Sequence, residues 1–292
     1  MSTTKNSRDK NTIFSVKQNI NCRGKLVRFD KPLIMGILNV TEDSFFDGGK
    51  HNTEKQWLLH IEKMLLEGAD IIDIGAASTR PGAKLISKAD ELSIIERVLK
   101  SVRKEYPEII ISIDTYYANV AKYSIENGAD IINDISGGEI DNEMFRTIAD
   151  LKVPYILMHI KGTPENMNQF THYNNIIQEM ILYFSEKVNK LKLLGVNDII
   201  IDPGFGFSKT LDDNYKLMNQ LEVFHFLELP VLVGISRKSM INKVLETNAT
   251  EALNGTTVLN TIALQKGANI LRVHDVKEAV ETLKILNMLN KN

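Results

Sequence analysis

The stretch IMGILNVTEDSFFDGG, Ile34 to Gly49, decides how the rest of the chain is read. Its first half, Ile34 to Leu38, is apolar without alternation and lies between Pro32 and Asn39, the pattern of a strand buried on both faces. Its second half is polar and closes on Asp47-Gly48-Gly49, a loop hung from a rigid strand tip. Taken alone this is an ordinary strand-to-helix connection. Repetition along the chain makes Asn39 the first of several polar residues delivered at the carboxyl ends of buried strands.

The repetition is visible in a phrase. Gln56 to Glu67 places apolar residues at helical spacing and stops at Gly68, after which Gly68-Ala69-Asp70 leads into Ile71-Ile72-Asp73-Ile74. The phrase returns as Gly128-Ala129-Asp130 and as Gly267-Ala268-Asn269, each time ahead of an apolar run. Strand candidates are Leu33–Leu38, Ile71–Ile74, Ile109–Ile113, Ile131–Asn133, Pro154–Met158, Ile199–Ile201, Val231–Ile235 and Ile270–Val273, with helical patterns between most of them, the longest over Tyr173–Leu194. About eight βα units in about 250 residues is the measure of an α/β fold of the (β/α)₈ TIM barrel kind. An open doubly wound sheet is the alternative, but no Gly-x-Gly-x-x-Gly follows the first strand. Residues 32–292 read as one barrel domain. Residues 1–31 read as an N-terminal arm, with Asn21 to Gly24 as the turn of a β-hairpin that would plug the barrel bottom; a disordered tail is the competing reading for its first ten residues.

Composition sets outer limits. The chain has 292 residues and a formal charge of -2, which gives no reason to expect a nucleic acid or an acidic membrane as partner. The single cysteine, Cys22, precludes an internal disulfide and fits a reducing compartment. Neither a membrane span nor a signal-peptide core is evident, so a cytoplasmic protein is expected.

In a barrel the function lies at the strand carboxyl ends. The candidates there are Asn39, the hydroxyl-rich loop Ser78-Thr79-Arg80-Pro81, Asp114, Asn133, Met158-His159, Asp202 with Gly204 to Phe207, Ser236 to Lys238, and Arg272 with His274 ahead of the N-cap candidate Asp275. Arg272 and His274 point the same way along a strand and sit before a helix start, an anion site. The competing reading is an arginine paired with a nearby carboxylate. Asp114, Asn133 and Asp202 each close an apolar strand, where unpaired carboxylates are costly to bury. Their acceptors suit a flat heterocycle with a donor-rich edge, such as an aminopyrimidinone, with Lys238 donating to ring acceptors. Capping of the following helices is the plainer explanation, and is preferred for Asp134; Asp73 reads as a structural partner in the mouth. His159, His172 and His225 lack metal-ligand spacing. Asn39, across from the anion site, would suit Mg²⁺ riding on a phosphate.

These segments together resemble the dihydropteroate synthase family. MGILNVTEDSFFDGG, GADIIDIGAASTRPGA, ISIDT, GADIINDISGG, MH, IIIDPGFGF, GISRKSMI and GANILRVHDVKEA fall in that family's order and spacing from about Leu33 onward. The resemblance implies a folate-pathway transferase, a sulfonamide target, joining 6-hydroxymethyl-7,8-dihydropterin diphosphate to 4-aminobenzoate and releasing diphosphate. It implies that Asp114, Asn133, Asp202 and Lys238 hold the pterin, with Met158 and Gly206 lining the slot. Arg272, His274 and Thr79 would bind diphosphate, and Asn39 would reach it through Mg²⁺. Thr79, Arg80, Pro81, Phe207 and Ser236 would form the aminobenzoate pocket. Asn39, Arg272, His274 and Lys238 are the expected catalytic residues, and a homodimer is expected.

Two departures from the family pattern stand out: Glu42 where proline is common, and Ser208 where glycine is frequent. A corrinoid-dependent methyltransferase would share the pterin clamp but needs neither the STRPG loop nor the Arg272/His274 pair. A Schiff-base aldolase acting through Lys238, and a pterin binder without catalysis, are two further readings of the same residues.

Overall fold

A computed structural model describes residues 17–40, 50–76 and 85–289, of which 50–53 by backbone alone. The chain opens with β1 (Asn19–Cys22) and β2 (Lys25–Arg28), then β3 (Leu33–Asn39) and α1 (Lys50–Glu67). Next come β4 (Ile71–Gly75), α2 (Lys88–Glu105), β5 (Ile110–Asp114), α3 (Ala118–Glu126), β6 (Ile131–Asp134) and α4 (Met144–Leu151). Then follow β7 (Tyr155–Met158), α5 (Ile176–Leu193), β8 (Ile199–Asp202), α6 (Leu211–Asn219), β9 (Leu232–Val233), α7 (Ser239–Leu245), α8 (Leu253–Gln265), β10 (Ile270–Val273) and α9 (Val276–Leu289).

Strands β3 to β10 form one parallel sheet in the order β8-β7-β6-β5-β4-β3-β10-β9, and a parallel bridge between Ile201 and Val231 joins its two ends. The eight-stranded barrel expected from the repeat is therefore present, with helices around it. The seventh barrel strand is shorter than the Val231–Ile235 run suggests. Pro230 brings no N–H to the ladder at its start, and the pairing with β10 lasts only two residues.

The repeated Gly-Ala-Asp/Asn phrase has one physical cause. Gly68, Gly128 and Gly267 take positive φ values of 104°, 104° and 89°, which ends each helix in the left-handed conformation that glycine adopts without penalty. The following Asp70, Asp130 or Asn269 then grips the neighbouring strand in the same manner each time. Its backbone N–H donates to the carbonyls of Ile34, Ile111 and Val231, while its side chain accepts the N–H of that same residue at 2.9, 2.8 and 2.9 Å. The phrase is a helix stop coupled to a strand-register pin.

Side-chain parity splits the core in two. Ile34, Leu38, Ile72, Ile74, Ile111 and Ile113 face the helices, whereas Leu33, Met35, Ile71, Ile131, Ile156, Ile200, Leu232 and Ile270 fill the bottom of the barrel. Ile20, Cys22 and Phe29 of the arm join this second group, so the hairpin seats on the barrel's amino-terminal end. Its turn places Arg23 and Gly24 at φ 48° and 85°, and Asn21 Oδ1 accepts the Gly24 N–H at 2.7 Å. Arg23 pairs with Asp130 at 2.6 Å, and Lys17 pairs with Asp198. Burial pushes the Cys22 thiol up to about 12, leaving it unreactive.

Candidate functional site

Two residues above that apolar floor, the same inward rows turn polar. Ile71 is followed by Asp73, Ile131 by Asn133, Ile200 by Asp202 and Ile270 by Arg272, so all four side chains enter the barrel mouth. Strand pairing aligns Asn39 with Gly75, Gly75 with Asp114 and Asp114 with Asn133, one row across four strands. At Gly75 a Cβ would lie 3.3 Å from the Asp114 Cβ, so the glycine makes room for that carboxylate. Asp114, Asp134 and Asp202 belong to their strands rather than to loops, which fixes the two site carboxylates on rigid supports.

Arg272 spans the mouth. Its Nε donates to Asp73 Oδ2 at 2.6 Å and its Nη2 to Asp114 Oδ2 at 2.7 Å. The Asn133 side-chain amide donates to the two Asp73 oxygens at 3.4 and 3.2 Å. Asp73 is thus the structural partner expected from the sequence. For Arg272, pairing with carboxylates is the arrangement found. Burial pushes the Asp114 carboxyl up; Arg272 pulls it back, while Asp73, Asp134 and Asp202 add to the push.

Asp202 is also raised by burial, opposed by Lys238 and by the Gly204 N–H that its Oδ1 accepts at 2.7 Å. Lys238 donates to the Phe205 carbonyl and lies 4.7 Å from the centre of the Phe207 ring. Burial brings its ammonium down to about 8, with Asp202 working against that shift. Gly206, at φ 82°, passes so close that a Cβ there would stand 3.2 Å from Lys238 Cδ. Met158 is buried inward at the end of β7, its carbonyl accepting from the Tyr183 hydroxyl at 2.9 Å.

His274 stands exposed at the rim, and desolvation, then Arg272 and Arg237, bring it down to about 4. The hydroxyl of buried Ser236 accepts the His274 backbone N–H at 3.2 Å and lies 3.1 Å from its Nδ1. Ser236 therefore supports His274. Asp275, expected to cap α9, gives both carboxylate oxygens to Arg237 instead, because Arg237, at φ 58°, turns its guanidinium across to it. Asn39 is exposed at its strand tip. Thr79, Arg80 and Pro81 lie outside the described residues, as does Glu42.

Asp134 accepts from the N–H groups of Ser136 and Gly138 at 2.7 and 2.8 Å and from the Tyr155 hydroxyl at 2.6 Å. Its role is structural, but it braces the turn after β6 and does not cap the following helix, the role expected from the sequence, since α4 starts well beyond it with Glu143 at its N-cap position. His159 is buried, and its Nδ1 lies 3.1 Å from Lys209 Nζ. Sequence reasoning missed Lys209. Its ammonium, brought down to about 7 by burial, also donates to the Gly204 and Phe207 carbonyls at 2.9 Å each. It thereby clamps the loop that carries Gly206 and Phe207. Ser208 occupies φ 48°, the reason glycine suits this position; its hydroxyl accepts the Lys161 N–H at 2.9 Å and donates to the Phe207 carbonyl at 2.8 Å. Among the described residues no group of three or more His, Cys, Asp or Glu side chains is arranged to hold a metal ion.

The family described as "Pterin binding enzyme" matches residues 35–274. The dihydropteroate synthase of Bacillus subtilis is 44% identical over 265 residues, covering 90% of each chain. That of Escherichia coli is 40% identical over 266 residues, covering 90% of this chain and 94% of its own. The fold superimposes on Yersinia pestis dihydropteroate synthase in complex with a sulfonamide drug at a TM-score of 0.88 and 38% identity, covering 94% of this chain and 100% of that one. For the Xanthomonas albilineans enzyme with 4-aminobenzoic acid the values are 0.85, 33%, 94% and 99%. A polar floor of two carboxylates, an asparagine, a lysine and an arginine crowns a barrel shared with these enzymes, and the chain belongs to the dihydropteroate synthase family of pterin-binding enzymes.

Proposed function

We propose that the chain condenses 6-hydroxymethyl-7,8-dihydropterin diphosphate with 4-aminobenzoate, giving 7,8-dihydropteroate and diphosphate. The observation that carries this reading is the inward placement of Asp114, Asn133 and Asp202 in the barrel mouth, with Lys238 beside Asp202. The two carboxylates accept from the amino group and ring N–H of the pterin, and Asn133 offers its amide oxygen. Lys238 donates to a ring acceptor, with Phe207 beneath it and Gly206 leaving room for its stem.

In the reaction the aminobenzoate nitrogen attacks the pterin methylene, the carbon–oxygen bond to diphosphate breaks, and the nitrogen sheds a proton to solvent. The pterin ring shares the positive charge that develops on the methylene, so the displacement is dissociative and needs no general base. Arg272 and His274 lie where the leaving group departs. His274 is neutral at physiological pH. With the Ser236 hydrogen directed to Nδ1, its Nε2–H is the donor to a leaving oxygen.

Charge accounting supports Mg²⁺ as part of the substrate complex. Asp73, Asp114 and Asp202 face Arg272 and Lys238, so these groups supply no surplus positive charge for a diphosphate. The exposed Asn39 amide fits a magnesium ion that keeps its waters and phosphate oxygens, an ion that would neutralise leaving-group charge when bound. Thr79, Arg80 and Pro81 are assigned with Phe207 to the aminobenzoate pocket, where sulfonamides would compete. Exposed Val244, Leu245 and Val258 on α7 and α8 supply an apolar face for a homodimer. No helix among the described residues is long and apolar enough to cross a membrane, and the cytoplasm, with Cys22 reduced, is the proposed location.

A coupled assay of diphosphate release, with and without aminobenzoate and Mg²⁺, tests the reading. Release that needs both and yields dihydropteroate is expected. Pterin binding without release would refute it and withdraw the Arg272/His274 assignment first.

A further inference from the structure

Glu91 lies in the first turn of α2, on the stripe that continues through Ile94, Ile95 and Val98 into the core, and its side chain is fully buried. Neither carboxyl oxygen has a hydrogen-bond partner at contact distance, although the Thr115 hydroxyl lies near enough to ease its ionisation slightly. An isolated carboxyl in such a place is expensive unless neutral. The groups facing it are Asp114, Thr115, Tyr116 and Tyr117 from the end of β5 and the turn beyond, and Asp134 from β6. Among these described groups there is no cation; Arg272 is engaged with Asp114 Oδ2 and Asp73 Oδ2.

The surroundings tie this carboxyl to the site. The start of α2 is stitched to the turn after β5 by the Tyr117 hydroxyl, which donates to the Ile86 carbonyl at 2.8 Å. Lys88 adds a contact to Asp141 at 2.9 Å, and Asp141 in turn accepts the Ala118 N–H at 3.1 Å. Glu91, fully buried in the first turn of α2, lies behind that seam, on the side of Asp114 and Thr115.

We propose that Glu91 is a positioning residue for the pterin: as a neutral acid between the start of α2 and the Asp114–Thr115 tip, it holds Asp114 in place, and losing its proton loosens that tip. The proposal rests on the pterin-condensing reading above. Burial, with Asp114 and Asp134 adding to it, pushes this carboxyl up to about 8, so the proton is retained at neutral pH.

The test compares wild type, Glu91→Gln and Glu91→Leu between pH 6 and 9.5, with kcat and KM for each substrate. Lys238 also titrates near 8, but it does so in all three proteins. The ratio of wild-type to Glu91→Gln KM for the pterin diphosphate therefore isolates Glu91. That ratio is expected to rise about fivefold or more through pH 8. Glu91→Leu is expected to raise the same KM about tenfold at pH 7 while moving the aminobenzoate KM less than about threefold. A ratio flat within about twofold across the range would overturn the proposal. So would a folded Glu91→Leu variant indistinguishable from wild type; if that variant does not fold, the glutamine ratio alone decides. If wild type releases no diphosphate, the functional reading falls, and the same ratio is taken from Kd values for a free pterin by calorimetry.

Discussion

Replacing Asp73 by asparagine removes the charge that Arg272 Nε meets at 2.6 Å in a fully buried setting. Breaking a buried ion pair from one side costs on the order of 3–5 kcal/mol, because the remaining charge is stranded. Asp114 still holds Nη2 at 2.7 Å, which places the loss at the lower end. The new amide also faces the Asn133 amide, which now donates to Asp73, and that mismatch adds roughly 1 kcal/mol. Asp73→Asn should therefore cost about 4 kcal/mol. Arg272→Gln strands two adjacent carboxylates, and its cost should be larger at pH 8 than at pH 5, where Asp114, already raised by burial, can take up a proton. The double variant should lose less than the two single losses together, by roughly 2 kcal/mol. Urea unfolding of the four proteins at pH 7.5 measures this directly. Additivity within about 0.5 kcal/mol would refute the idea that Arg272 and Asp73 act as one unit.

The other predictions concern single positions. Glu91 keeps its proton to about pH 8 in the folded chain but loses it near 4.5 when unfolded, so wild-type stability should fall as pH climbs through that window and level off above it. Glu91→Gln lacks this decline; its advantage in urea midpoint should be absent near pH 4 and open toward pH 8, to a ceiling on the order of 4–5 kcal/mol. A gap that does not widen would sink the account. Ser208→Ala forfeits the hydroxyl contacts to Lys161 and Phe207 at φ 48° and should cost about 1–2 kcal/mol, whereas Ser208→Gly regains conformational ease and should melt close to wild type. Equal melting temperatures for the two variants would contradict this. Gly206→Ala places a Cβ 3.2 Å from Lys238 Cδ at φ 82°, so pterin affinity by calorimetry should fall about tenfold; unchanged affinity would remove Gly206 from the slot.

Much of this was legible because the relevant physics is local. The Gly-Ala-Asp phrase announces a helix stop and a register pin in three residues, and a polar residue two places after a buried isoleucine announces the barrel's inward row. Asp73, Asn133, Asp202 and Arg272 could each be found that way, and Asp114 by its place at the end of an apolar strand. What sequence could not give was partnership. Whether the Arg272 guanidinium is committed to Asp73 and Asp114 depends on strands far apart in the chain. Asp275 looked like a helix cap because nothing local says that Arg237 will take both its oxygens. Glu91 did leave a signal: helical spacing sets it on the same face as Ile94, Ile95 and Val98, a charge on an apolar stripe. Lys209 left none, since Ser208-Lys209-Thr210 reads as an exposed loop until His159 is brought beside it.

The hairpin beneath the barrel has a consequence for synthesis. Its buried residues, Ile20, Cys22 and Phe29, belong to one apolar cluster with Leu232 and Ile270 as well as with Leu33 and Ile71. The earliest part of this fold to leave the ribosome therefore waits for nearly the last before its resting place exists. Until β10 is made, the apolar side of the hairpin has no complete seat, and docking closes a loop spanning nearly the whole chain. Docking of the hairpin thus reports that the barrel is finished, and nascent chains stalled before Ile270 should be the ones that chaperones hold.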